Sequence, residues 1–290
     1  MKKLFSLLPL VTFAMLVMVL AAPTSAGAAS VGQGHAHVAA AKQHKSSSSR
    51  TSNLLYHGGP VMGGTSHDYA IFWEPTGSYV SSGYNSLITR YFNDVGGSGL
   101  YHNNSQYSAN GTSPTNSTLA SSWVDTASYP SGTITDAQVQ AEVTHAQQVN
   151  GWSSSINNVF FVFTAKNENI CYGSSCSFTT FCAYHSSFGN NTLYAAMPYT
   201  GTSLSGCGVP TSPNNNIDAD STINVTSHEQ MEAATDPLGN AWYDRSGNEN
   251  GDKCNFNFGP GNGDVVFNGH PYEVQKEWDN QVHGCVLSGP

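Results

Sequence analysis

An α/β domain with a central mixed sheet flanked by helices, its loops stapled by disulfides, is the fold this sequence predicts. Three observations carry that expectation. Val159-Phe160-Phe161-Val162-Phe163 is an unbroken apolar run, the pattern of a strand covered on both faces. Strand-like and helix-like stretches alternate along the chain, which favours helices packed on one sheet. Six cysteines in 290 residues, behind an export-type N terminus, fit loops tied by bridges.

Taken in order, residues 1–28 read as a signal peptide. Lys2 and Lys3 begin it, Leu4 to Ala21 form its apolar run, and Ala22 to Ala29 form a small-residue exit. No other stretch is apolar and long enough to span a bilayer, so an exported protein with no membrane association after signal removal is expected. Residues 29–53 form a leader rich in Ala, Ser, His and Lys, with almost no large apolar side chains. Such a segment buries too little surface to offset its ordering entropy, and disorder is expected there. His35, His37 and His44 could scavenge metal, but a solvated tail is the expected account.

Residues 54–290 suffice for one sizeable domain. Tyr69 to Trp73 reads as a buried strand ended by Glu74-Pro75. Leu87, Ile88, Tyr91 and Phe92 recur at helical spacing over Asn85 to Val95, and Gly96-Gly97 stops that helix. Ser98 to Gly132 is rich in Asn, Ser, Thr and Gly and is expected to be irregular with short strands. Thr135-Asp136 caps a helix running to about Asn150. Cys171 to Cys182 reads as a cross-linked loop and Leu193 to Pro198 as another short strand. A last helix runs from Ser221 or Thr222 to Thr235, and Pro237 enforces its end.

Charge excludes some functions. All 19 acidic residues follow residue 50, against five basic ones there (Arg90, Lys166, Arg245, Lys253 and Lys276), a net charge of −14 with His neutral. Such a surface argues against nucleic acid and anionic membranes as partners. Fifteen cysteine pairings are conceivable. Near-neighbour pairing favours Cys171–Cys176, Cys182–Cys207 and Cys254–Cys285, with a cysteine-ligated zinc as the competing reading.

The most telling stretch is Ser227-His228-Glu229-Gln230-Met231-Glu232. On a helix, His228 and Glu232 lie four positions apart on one face and can grip one divalent metal. Glu229 stands at the edge of that face, where a general base belongs. The spacing imitates the H-E-x-x-H helix of zinc peptidases, with Glu232 in place of the second histidine. A metallopeptidase-like active-site helix is therefore part of the expected fold.

Downstream come Asn240-Ala241-Trp242-Tyr243 and Glu249, Asp252 and Cys254, then Asn268-Gly269, Tyr272, Val274-Gln275, Trp278 and Cys285. Upstream stand Tyr56-His57-Gly58-Gly59-Pro60, Ile71-Phe72-Trp73 and Cys182-Ala183-Tyr184-His185. Together with His228, Glu229, Glu232, Thr235 and Pro237, these resemble the motifs of the EXORDIUM, or phosphate-induced protein, family over most of residues 54–290. Asp236, where plant members tend to show Asn, and Ala183 depart from the pattern. The resemblance implies a secreted or cell-wall protein and no settled activity.

A zinc hydrolase needs three protein ligands. His228 and Glu232 supply two, and Glu249 is the expected third, with Glu229 as catalytic base. Asp252 is expected to orient His228 from behind, and His185 and Asp236 are fallback ligands. Zinc is the expected metal. Asp244 to Asp252 is oxygen-rich enough to make calcium the other candidate. The expected function is a secreted metal-dependent hydrolase, peptidase-like, acting on a peptide or a cell-wall polymer. The alternative is a non-enzymatic extracellular wall-binding or signalling protein whose H-E-x-x-E helix is structural. No G-x-S-x-G elbow supports serine catalysis.

Overall fold

The apolar run at 159–163 lies in the middle of a six-stranded mixed sheet. The computed structural model describes residues 36–42 and 52–289. Its main strands are β1 (His37–Ala40), β2 (Gly64–Trp73), β3 (Pro114–Asp125), β4 (Asn158–Thr164), β5 (Phe181–Phe188) and β6 (Thr192–Met197). Their spatial order is β1-β5-β6-β4-β2-β3. Strands β3, β2, β4 and β6 run parallel to one another, while β5 is antiparallel to β6 and β1 antiparallel to β5. The predicted signal peptide lies outside the described residues. No helix among them is long and apolar enough to cross a membrane.

Alternation across the pleat sorts side chains into two cores. Phe161, Phe163, Ala70, Phe72, Leu193 and Ala195 face one side, with α1 (Tyr84–Val95) and the long helix α3 (Ile217–Thr235). Phe160, Val162, Ile71, Trp73, Tyr194 and Ala196 face the other, against Val139, Val143 and Ala146 of α2 (Asp136–Asn150). Strand β4 is buried along its whole length, as its composition predicts. Helix α2 begins with Thr135 in a capping box with Gln138.

Helix α3 positions the site. It starts four or five residues before its predicted start, because the Asn216 side chain accepts from the Ala219 amide and caps it there. Asp218 and Asp220 in the first turn suit the positive end of the helix. Every residue from Ala219 to Thr235 is buried, including the polar ones. Hydrogen bonds offset the burial of several of those groups. The hydroxyls of Thr222 and Thr226 donate to carbonyls four residues back. Gln230 donates to Asp68 and accepts from Tyr91, and Asn224 accepts from the Gln275 amide.

Three stretches differ from the sequence expectation. Ser98 to Gly132 holds the twelve-residue strand β3 rather than only short irregular pieces. This edge strand mostly alternates partly buried and exposed positions and is dominated by Ser, Thr and Asn, with Leu119, Trp123 and Val124 too scattered to give an apolar run. Strand β5 replaces a site that reads as loop and motif, since Cys182 to His185 mixes small, aromatic and ionisable residues. Within the leader, residues 37–40 form β1 on the free edge of β5 instead of a solvated tail. Main-chain pairing and the burial of Ala39 and Ala41 in the first core provide what its composition lacks.

The cysteines pair as near neighbours: Cys171–Cys176, Cys182–Cys207 and Cys254–Cys285. These bridges fit an oxidising compartment. The first closes a two-stranded turn (Ile170–Tyr172 with Ser175–Cys176). The third ties the short helix α4 (Asn250–Lys253) to the C-terminal strand Gly284–Val286.

Candidate metal centre

Four parts of the chain meet beside the second half of α3. The helix contributes His228, Glu229 and Glu232, and Asp236 follows as its C-cap. Strand β5 contributes His185, which shares the parity of Ala183 and so points to the helix side of the sheet. The loop into α4 contributes Glu249 as N-cap and Asp252 in the first turn. The leader contributes His37, paired directly opposite His185 and stacked on it with ring centroids 5.2 Å apart. Glu229, Glu232, Asp236, Glu249 and His228 are fully buried, and His185 is nearly so.

The contacts divide into ordinary hydrogen bonds and close approaches that lack hydrogen-bond geometry. His185 Nδ1 lies 2.9 Å from Glu229 Oε2, whose other oxygen accepts from the Ala39 amide at 3.1 Å. The Asp252 amide donates to Glu232 Oε1 at 2.9 Å. Asp236 Oδ1 accepts from the amides of Asn240 and Ala241. By contrast, His228 Nε2 sits 2.9 Å from Glu232 Oε1, and His37 Nδ1 sits 2.5 Å from Glu249 Oε2, each without a hydrogen-bonding alignment. His185 Nε2, His228 Nδ1, Glu232 Oε2, Asp236 Oδ2 and both oxygens of Glu249 are buried with no partner. Native interiors rarely tolerate such orphans.

Sets of three donor atoms, all within 4.8 Å of one another, form around this cluster. His185, Glu232 and Glu249 form one, His228, Glu232 and Asp252 a second, and His37, Asp236 and Glu249 a third. The expected ligands His228, Glu232 and Glu249 do not close as a single set among the described residues. Glu232 instead belongs with His228 on one side and with Glu249 on the other. The three side chains held in reserve, Asp252, His185 and Asp236, all lie in the cluster. The donors are imidazole nitrogens and carboxylate oxygens, which suit zinc and harder divalent ions alike. The orphaned nitrogens and oxygens therefore fit a divalent cation.

Electrostatics point the same way. Burial, and then the charges of Glu232 and Asp236, push the Glu249 carboxyl well above its ordinary range. Burial raises Glu232 and Asp236 as well, and pushes Glu229 up to about 8. Burial and the neighbouring His37 depress His185 to about 4. Burial works against a charged His228, yet the carboxylates of Glu232 and Asp252 outweigh it and hold its imidazole well above the usual value. More carboxylates crowd here than the imidazoles can neutralise, and a cation would relieve them.

Gly251 makes the packing possible. A Cβ there would lie 2.9 Å from Glu232 Oε1 and 3.0 Å from His228 Cγ. In the oxygen-rich loop, Asp244 accepts from the amides of Ser246 and Asn248 and lies 3.4 Å from Lys253 Nζ, while Glu249 and Asp252 turn to α3.

Two residues of the neighbourhood have no sequence signal of their own. His37 sits in a leader that reads as tail. Glu277 lies in the short strand Glu277–Asp279, fully buried with both oxygens unpartnered, and burial holds its carboxyl well above the ordinary range despite the nearby His228. Its one hint is a charge set between Gln275 and Trp278. No family model, no curated protein and no solved structure matches this chain.

Proposed function

We propose that this protein is an exported, metal-dependent hydrolase, peptidase-like in its reaction, within the EXORDIUM-like resemblance of its motifs. The observation that carries the reading is the buried, unpartnered donor set around Glu232. His185, Glu232 and Glu249 would hold the ion, with His228 and Asp252 flanking Glu232. A zinc-class cation there supplies Lewis acidity, which polarises a carbonyl and makes water a better acid.

The chain's own groups do the rest. Glu229 accepts the Nδ1 proton of His185, which leaves the lone pair on Nε2 for a ligand role. With the Ala39 amide displaced, the other Glu229 oxygen would take a proton from the attacking water and pass it to the departing amine. The surrounding burial keeps bulk water from competing.

Elemental mass spectrometry of the purified protein tests the reading, with a peptide library as substrate. About one zinc per chain is expected, lost in Glu232→Ala. Glu229→Gln is expected to keep the metal and to lower hydrolysis by about 10²–10⁴-fold. Undiminished hydrolysis in that variant would sink the mechanism. Chelator-insensitive binding to wall polysaccharide, with no hydrolysis, would favour the non-enzymatic reading instead.

A further inference from the structure

Strand β1 joins the sheet at one edge and reaches the donor cluster from the leader. It contributes nothing to the sheet's centre and lies along the edge of β5, the antiparallel strand that carries His185. Without it, β5 would present a row of free amides and carbonyls beside the donor cluster, a template for any extended chain. The register is His37 opposite His185, Val38 opposite Tyr184 and Ala39 opposite Ala183, with a bulge before Ala40 meets Phe181.

Two contacts of the segment fall on carboxylates of the donor cluster. The Ala39 amide occupies Glu229 Oε1. His37 Nδ1 presses on Glu249 Oε2 at 2.5 Å, and its Nε2 is buried without a partner. The far end is anchored by Asn255 donating to the Ala40 carbonyl and by the Ala41 amide donating to the Thr180 carbonyl. Gly239, at φ +67°, leaves room for the imidazole: a Cβ there would stand 2.5 Å from His37 Nε2. Ala39 and Ala41 are wholly buried at alternate positions, so the groove admits only small side chains there.

We propose that the edge of β5 is the binding groove for an extended polypeptide substrate, and that residues 36–42 are its built-in occupant, which a substrate must displace. A substrate adds antiparallel to β5 as β1 does, through main-chain hydrogen bonds, with small residues at the positions of Ala39 and Ala41. The catalytic consequence rests on the hydrolase reading above; the groove does not. Because the occupant is tethered, its effective concentration is of millimolar order, and a free peptide at micromolar concentration competes poorly until the strand is dislodged.

The test uses the full chain and a fluorescein-labelled peptide with the sequence of residues 36–42. Ala39→Arg with Ala41→Arg cannot fit the core and should expel the strand. Fluorescence anisotropy is expected to show binding to this variant at least about tenfold tighter than to the parent. Hydrogen exchange should show residues 181–188 losing protection in the variant and regaining it with peptide. A second preparation guards against misfolding. The parent carries a specific protease site placed between residues 42 and 52, cut after folding, and should then exchange labelled peptide where the uncut chain does not. A folded variant and a cut chain that both fail to take up peptide would overturn the groove, as would equal binding by the parent. Peptide binding without metal would keep the groove and remove the hydrolase; metal without peptide binding would do the reverse.

Discussion

Among the described residues, a rim group and a central group of histidines and carboxylates settle crowded negative charge in different ways. At the rim, Asp125 ends β3 and faces Glu142 and His145 of α2. His145 Nδ1 lies 3.6 Å from Asp125 Oδ2 and 3.9 Å from Glu142 Oε2, and its side chain is 47% exposed. Burial, and then the Asp125 charge, push Glu142 up to about 8, so one proton relieves the pair. At the centre, the carboxylates of Glu229, Glu232, Asp236 and Glu249 are wholly enclosed with His185 and His228. One proton cannot serve so many. The same residue types at helical spacing thus differ in meaning according to burial and number.

Metal content separates the two groups most sharply. Glu232→Ala should reduce bound zinc from about one per chain to near none, whereas Asp125→Asn should leave it unchanged by elemental mass spectrometry. The opposite pattern would reverse the comparison. Next in size is the bridge that anchors α4, and with it Glu249 and Asp252, to the C-terminal strand. It spans 31 positions, and replacing both Cys254 and Cys285 by Ser should cost about 3–4 kcal/mol in denaturant unfolding. Removing Cys171–Cys176, which spans five positions, should cost closer to 2 kcal/mol and spare the metal.

Gly251→Ala is a finer probe of the centre. Its new methyl group meets Glu232 and His228, so a loss of about 1–3 kcal/mol is expected, with weaker zinc uptake in a chelator competition. The smallest effect belongs to the rim. Glu142 in the folded chain holds its proton to about 8, above its ordinary 4.5. Its contribution to stability is therefore fully present below about pH 4.5 and lost as pH rises through about 8. Melting temperatures of Glu142→Gln should match the parent in acid and exceed it at about pH 9. Parallel curves for the two proteins would show that Glu142 is ionised in both states.

Local rules reach the helices and the central strands. Val159 to Phe163 and the α1 stripe are read from apolar spacing alone, and the H-E-x-x-E residues from a helix period. Glu249 and Asp252 enter through motif resemblance rather than spacing. His185 enters only as a reserve ligand, since its placement depends on a strand that carries no apolar alternation. Strand β3 hides because an edge strand of Ser, Thr and Asn reads as loop. His37 and Glu277 lie beyond any local rule: each reaches the cluster through pairing or packing with distant chain. A leader poor in apolar residues can still order when a sheet edge supplies the hydrogen bonds.

The pairing of His37 with His185 also fixes a sequence of events. Residues 37–40 are made first, yet the edge that receives them is made about 150 residues later, and closing so long a loop is slow although its entropic penalty grows only gently with length. Helix α3 and the turn bearing Glu249 come later still. The nascent chain therefore carries its own stopper loose while the pocket assembles, and the pocket is stoppered only once Glu229, the group that takes the Ala39 amide, has arrived.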